Sequence, residues 1–306
     1  MWKTGATPAS NHPLTGHGLK ESFAIRSCDG ARYAAEEGWF SGQPGPPNVR
    51  AAMHTFPADS PLVRRIVPSP NTSDRRPGTQ IEILLLHYTG MREGLAALER
   101  LCDREAKVSS HYLVFESGEV VQLVPEALRA HHAGESCWQG AGDVNSRSIG
   151  IEIENPGHDY GYPDFPDRQI ESVIALCRDI LARRKIAAYN VLAHSDVAPT
   201  RKQDPGEKFP WQRLYEHGVG LWVPPAPIRA DAASLKPGDQ GAAVAELQRQ
   251  LASYGYGIPE NGNYDALTTA VVTAFQLHFR PACVDGIADA STRETLRALL
   301  AARAGG

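Results

Sequence analysis

Two kinds of hydrophobic run alternate along the chain before residue 200. The stretch Ile81-Glu82-Ile83-Leu84-Leu85-Leu86-His87-Tyr88 is almost continuously apolar, which predicts a strand buried on both faces. It ends on an imidazole held at the rim of a sheet. The stretch Ile149-Gly150-Ile151-Glu152-Ile153-Glu154 alternates instead, so its isoleucines share one face and Glu152 and Glu154 the other. His111-Tyr112-Leu113-Val114-Phe115 and Val120-Val121-Gln122-Leu123-Val124 flank Ser117-Gly118 and read as a hairpin. Val191-Leu192-Ala193 predicts one more short strand, with His194 where it gives way to a loop. Between these runs, apolar residues recur at helical spacing: Leu95, Leu98, Leu101 and Cys102 on one helix, and Ile170, Val173, Ile174, Cys177, Ile180 and Leu181 on a longer one. Both are core-packing stripes.

After Leu221-Trp222-Val223 the pattern changes. Residues 224–231 form a Pro-rich linker, and residues 232–302 carry an internal repeat. Asn261-Gly262-Asn263-Tyr264-Asp265-Ala266-Leu267-Thr268 recurs as Asp285-Gly286-Ile287-Ala288-Asp289-Ala290-Ser291-Thr292. Each copy is a Gly turn leading into a helix, and Ser291 with Glu294 fits a capping box. A helix bearing Val244, Leu247 and Leu251 precedes them. Residues 1–52 show no sustained periodicity and end in a Pro/Gly cluster. The expectation there is upstream sequence before an initiator at Met53, or a disordered leader. Residues 53–223 then form the first domain.

Composition narrows the class. With 306 residues there is room for two domains, and 42% hydrophobic and 22% charged residues are ordinary for a globular protein. A net charge of −4 gives no reason to expect nucleic acid or an anionic membrane as partner. No run is long and apolar enough to span a membrane. Five scattered cysteines without a CxxC argue against a disulfide framework and for a reducing compartment.

The chemistry concentrates in Ala193-His194-Ser195-Asp196-Val197-Ala198-Pro199-Thr200-Arg201-Lys202-Gln203-Asp204-Pro205-Gly206. Pro205-Gly206 cannot continue a helix, so Asp204 sits on a fixed loop. His194 and Asp204, with His87 as third donor, would make a three-ligand zinc site with an open fourth position. His87 alone reads equally well as an ordinary half-buried histidine satisfied by hydrogen bonds. Glu152 is the natural general base toward a water at such a site, and Lys202 a stabiliser of the oxyanion. Their plainer readings are a solvated strand carboxylate and a solvated loop lysine, and Glu154 is the bystander.

Five blocks occur in order: His87-Tyr88-Thr89, Ser109-Ser110-His111-Tyr112-Leu113, His132-Ala133-Gly134, Ser148-Ile149-Gly150-Ile151-Glu152 and the His194–Asp204 segment. Together, across roughly residues 61–223, they resemble the zinc N-acetylmuramoyl-L-alanine amidases of the amidase-2 type, relatives of the peptidoglycan recognition proteins. The resemblance implies an α/β domain with a mixed central sheet flanked by helices. It also implies one zinc ion and cleavage of the amide between N-acetylmuramic acid and L-alanine in peptidoglycan or muropeptides. By motif position it gives Glu152 and Lys202 the catalytic roles. His132, Asn155 and Arg201 are expected at the substrate groove. His131 stands where that family usually has tryptophan, and His111 is expected to be structural. Adjacent strand residues face opposite ways, so His131 and His132 do not ligate together.

The second region resembles the small all-α, three-helix peptidoglycan-binding domain appended to wall hydrolases, with Phe275-Gln276 part of that pattern. A helical cap that merely stabilises the first domain is the alternative. Two other functions stay open. One is non-catalytic peptidoglycan recognition, against which Asp204, Glu152 and Lys202 count; the other is a zinc peptidase acting within the stem peptide. The N-terminus lacks the apolar core of a secretory signal, which favours the cytoplasm and muropeptide recycling. The wall-binding module favours the periplasm or the wall. Oligomeric state is not readable from the sequence.

Overall fold

A computed structural model describes residues 56–229 and 233–305; the expectations for a leader and for a start at Met53 lie outside them. The first domain is built on a six-stranded mixed sheet of order β1-β5-β4-β7-β3-β8. Its strands are β1 (Arg65–Ile66), β3 (Ile83–Tyr88), β4 (Tyr112–Val114), β5 (Val120–Gln122), β7 (Ser148–Ile153) and β8 (Val191–Ala193). All pairings are parallel except the predicted β4–β5 hairpin. A two-stranded ribbon of β2 (Thr72–Ser73) and β6 (Arg129–Ala130) lies apart from it.

The pleat sorts side chains between two layers. Leu84 and Leu86 of β3 and Ile149, Ile151 and Ile153 of β7 pack on helix α3 (Asp167–Arg183) through Ile170, Val173, Cys177 and Ile180. Ile83, Leu85 and Leu192 face the other way. His87, Ser148, Gly150 and Glu152 share that second face by the period of two. Part of it is covered by α1 (Gly94–Cys102), whose Leu98 and Leu101 pack on Leu113 and Val121. Leu95, expected on that apolar stripe, is 62% exposed; Ala97 takes its place. The face of α1 that meets the sheet is narrower than the leucine spacing implied.

Short helices α2 (Val144–Arg147), α4 (His194–Val197) and α5 (Trp211–Glu216) complete this domain. Cys102, Cys177 and Cys283 are free thiols.

The second domain is three helices, α6 (Ala242–Tyr254), α7 (Ala266–Phe279) and α8 (Ala290–Gly305). Its repeat is realised in the hydrogen bonding. Gln248 donates to Asn261 Oδ1 and Asn263 O and accepts from the N–H groups of Asn261 and Gly262. Gln276 does the same with Asp285 Oδ1, Ile287 O, and the N–H groups of Asp285 and Gly286. The caps are Asp265, accepting from Thr268 N–H, and Asp289, accepting from Thr292 N–H, each at 2.8 Å. The Ser291–Glu294 capping box therefore does not form, because the cap falls two residues earlier, at Asp289, and the helix starts at Ala290. Ser291 Oγ instead donates to Ala226 O at 2.5 Å, pinning the linker.

The linker does not leave the two domains apart. Trp138 is fully buried between them, 5.4 Å from the Tyr256 ring, and Gln139 N–H donates to Gly255 O at 2.8 Å. Gly255 has φ +138°, and a Cβ there would stand 2.5 Å from the indole. Apolar residues of both domains share one cluster, including Ile83, Leu85 and Leu192 with Tyr256, Phe275 and Phe279.

Candidate metal centre and active site

Register builds the first half of the site. β3 and β7 run parallel with His87 opposite Glu152, so both side chains leave the same face at neighbouring positions. β8 lies on the far side of β3 and ends at Ala193, which delivers His194 at the first turn of α4. The chain then returns through a loop, where Ser195 N–H donates to Asp204 O at 3.1 Å. Tyr162 OH locks the loop from below by donating to Pro205 O at 2.6 Å. Gly206, at φ +85°, is required there, since a Cβ would meet the Tyr162 hydroxyl.

Three donor atoms converge. His87 Nδ1 lies 2.9 Å from His194 Nδ1 and 3.2 Å from Asp204 Oδ2, and His194 Nδ1 is 3.0 Å from the same oxygen. Ligands about 2.0–2.1 Å from a tetrahedral ion stand roughly 3.3 Å apart, close to this triangle. All three residues are buried.

The tautomers follow from fixed acceptors. His194 Nε2 faces Ala133 O at 3.1 Å, so it carries the proton and leaves Nδ1 as a lone pair. Ser148 Oγ donates to Val144 O at 2.7 Å and must therefore accept from His132 Nε2 at 3.2 Å. That leaves His132 Nδ1 to accept from His87 Nε2 at 3.0 Å, so His87 Nδ1 is also a lone pair. Burial, then the neighbouring His194, lowers the His87 pKa to about 4, and burial holds His132 well below the imidazole range. Both rings are neutral at pH 7. Two lone pairs and a carboxylate oxygen aimed at one point repel unless a cation sits between them. The residues present thus fit a zinc ion, with the second nitrogen of each imidazole anchored as metal sites require.

Glu152 borders this point. One of its oxygens, Oε2, is buried without a hydrogen-bond partner. Burial, then the charge of Asp204, raises its carboxyl to about 8 against the pull of Lys202. Lys202 is exposed on the loop, and among the described residues no carboxylate lies within ion-pair distance of its ammonium group. Both line a cleft of about 380 Å³ between α1 and the 201–204 loop, with His87, His194 and Asp204 at its floor.

The remaining expected residues fall into different places. His132 borders the cleft but lies behind His87, over Gly150, where a Cβ would come within 2.6 Å of its ring. Asn155 is buried, donating to Pro163 O and accepting from Gly157 N–H at 2.9 Å each, and does not line the cleft. Arg201 lines it, but its guanidinium is committed to the carbonyls of Ala133 and Glu135. His111 accepts from Gly150 N–H at 2.9 Å and donates to Leu128 O. His131 lines the cleft, with its Nε2 3.1 Å from Ser73 Oγ. Glu154 accepts from Gly94 N–H and Glu116 N–H, tying down the start of α1.

This architecture has known relatives. Residues 77–207 match the N-acetylmuramoyl-L-alanine amidase family and residues 240–296 a peptidoglycan binding domain family. The N-acetylmuramoyl-L-alanine amidase AmiD of Escherichia coli (strain K12) is 40% identical over 233 residues, spanning 72% of this chain and 83% of that relative. The chain belongs to the N-acetylmuramoyl-L-alanine amidase family. A structure of E. coli AmiD with the substrate anhydro-N-acetylmuramic acid-L-Ala-D-γ-Glu-L-Lys superposes with a TM-score of 0.62 at 39% identity, covering 74% of this chain and 92% of that one. AmpDh3 of Pseudomonas aeruginosa, solved with anhydromuramic pentapeptide, gives 0.59 at 32% identity, covering 72% and 91%.

Behind the wall of the amidase cleft lies a group that the sequence did not flag. Tyr88 OH lies 3.0 Å from His158 Nδ1, whose Nε2 lies 2.9 Å from Glu207 Oε2. His158 stacks on Tyr162 at 4.1 Å, so the set braces the wall next to the Asp204 loop. Its members are spread over more than a hundred residues, and nothing local distinguishes His158 from a surface histidine. Among the described residues no helix of the amidase is long and apolar enough to cross a membrane.

Proposed function

We propose that this amidase uses one zinc ion per chain to hydrolyse the amide between the lactyl group of N-acetylmuramic acid and L-alanine of the stem peptide, in peptidoglycan or muropeptides during cell-wall turnover. The observation that carries the reading is the convergence of His87 Nδ1, His194 Nδ1 and Asp204 Oδ2 within 3.2 Å of one another, at the floor of a cleft bordered by Glu152. The muramic-peptide ligands of the two solved relatives support the substrate class.

His87, His194 and Asp204 would hold the ion, which when bound supplies Lewis acidity and a nucleophilic water at neutral pH. Glu152 would take a proton from the attacking water and pass it to the departing amine of L-alanine. Its carboxyl must be ionised to begin, and a bound cation would favour that form against the effect of burial. Lys202 reaches in from the rim to the oxygen of the scissile carbonyl, where negative charge develops. His132 and Ala133 O keep the two imidazoles in the tautomer that leaves Nδ1 free. The second domain retains polymer near the cleft.

Mass spectrometry of the products from a defined muropeptide, with and without a chelator, tests this. Release of the stem peptide with an intact L-alanine amino terminus, lost on chelation and restored by zinc, is the expected outcome. Cleavage within the peptide would move the chain to the peptidases. Stoichiometric zinc without any cleavage would make it a recognition protein.

A further inference from the structure

The segment bearing His194 is held from outside its own domain. Asp196, two residues on, is 1% exposed, and its carboxylate accepts three hydrogen bonds. Ala193 N–H reaches Oδ2 at 2.8 Å, an ordinary local closure of a helix start. The other two donors belong to the second domain. His278 Nδ1 lies 2.7 Å from Oδ2 and Tyr256 OH 2.7 Å from Oδ1. His278, itself 2% exposed, is clamped between Trp211 at 3.7 Å and Phe279 at 3.8 Å. Tyr256 packs edge-on against Trp138. Both donors are thus rigidly aimed.

A buried carboxylate is costly unless fully paired, and here most of the pairing comes from residues 60 and 82 positions away. Helix α4 has four residues, too few to be stable without tertiary support. His194 opens it, and Ser195 N–H ties it to Asp204 O. A shift of α4 therefore moves two of the three converging donor atoms together. Retaining a wall polymer does not by itself call for a buried tyrosine and histidine directed at this helix.

We propose that Tyr256 and His278 are positioning residues of the metal centre: by fixing Asp196 they hold α4 so that His194 Nδ1 stays aimed at the point it shares with His87 and Asp204. The second domain is then a working part of the site as well as a tether. This rests on the metal reading of the proposed function.

The test uses the full chain, Zn2+ affinity by competition with a chromophoric chelator, the visible spectrum of the Co2+-substituted protein, and thermal unfolding of the metal-free form. Tyr256→Phe removes one hydroxyl and His278→Phe keeps a stacking ring without the donor. Each is expected to weaken Zn2+ binding about tenfold, the lower end for supporting residues around metal sites, and to change the Co2+ spectrum. His278→Asn, which restores a donor near Nδ1, recovers most of the affinity. Arg303→Ala is the control. It loosens the same interface by removing the stack on Tyr189 at 4.2 Å, together with hydrogen bonds to Ser253 O and Tyr254 O, but does not touch Asp196, so it lowers the melting temperature with affinity and spectrum unchanged. Wild-type affinity and spectrum in the Tyr256→Phe/His278→Phe pair would overturn the inference, as would an equal loss of affinity in Arg303→Ala. Absence of zinc binding in the unmodified chain would remove the metal reading itself, and the inference with it.

Discussion

At the converging donor atoms of the first domain and at the glutamine-closed turns of the second, buried polar groups are treated in opposite ways. In the second, Gln248 and Gln276 are fully buried and every polar atom of their amides is partnered, each closing a turn onto the next helix. In the first, Glu152 keeps a buried oxygen unpaired, and two lone pairs and a carboxylate crowd together at His87, His194 and Asp204. Complete satisfaction specifies a structure; concentrated, partial satisfaction leaves bonding capacity for something else. Between these two sets, on the reading proposed above, the difference separates residues that hold the fold from residues proposed to act.

If that distinction is sound, substitutions should divide cleanly between activity and stability. The largest effect expected is from Glu152→Gln, which keeps the shape and removes the base: kcat should fall about 10²–10⁴-fold, with Zn2+ content unchanged by metal analysis. A near-normal kcat would return Glu152 to the solvated carboxylates. Lys202→Ala should cost about 10²–10³ in kcat with little change in folding, measured by steady-state kinetics alongside thermal unfolding. On the other side, Gln248→Ala leaves the N–H groups of Asn261 and Gly262 without their acceptor. It should cost roughly 2–3 kcal/mol in urea unfolding while the kcat on a soluble muropeptide stays within about twofold, a span worth only ~0.4 kcal/mol.

The dependence on pH is the most diagnostic. In the metal-free chain the Glu152 carboxyl sits at about 8 rather than 4.5, chiefly through burial. The native state therefore binds more protons than the unfolded state between these values, so stability falls as pH rises through that window. Glu152→Gln carries no such penalty. Metal-free Glu152→Gln should melt above the parent at pH 9 and together with it at pH 4. Equal melting at both would mean that the carboxylate is solvated after all.

Much of this was legible from the chain because it depends on short-range pattern. The Ile81–Tyr88 run became β3, the Ile149–Glu154 alternation became β7 with Glu152 and Glu154 on one face, and the Ser117-Gly118 turn joined β4 to β5. The repeat in the second domain was visible for the same reason. Two-residue strands such as β1, β2 and β6 have no period to read. Leu95 misled because helical spacing identifies a face without saying how wide its partner is. Asp196, His278, Tyr256 and Trp138 were illegible for a deeper reason. They meet only when two domains dock, and nothing in the Pro-rich linker indicates that they do. At the site, spacing could nominate His87, His194 and Asp204, but only the geometry shows which nitrogens face one another and that Asn155 and Arg201 are committed elsewhere.

Gly150 carries a consequence for how this chain can change. It sits in the middle of a central strand, where glycine is a poor choice and forgoes roughly 0.5–1 kcal/mol relative to alanine. Any search for a sturdier protein would begin by filling it. Yet the vacancy seats the His132 ring, which would lie 2.6 Å from an added methyl group, and His132 sets which nitrogen His87 offers. The weakest residue of β7 is thus the one that improvement by stability alone would remove first, and with it the working tautomer. Robustness and chemistry compete at that position, and the strand as it stands has settled for chemistry.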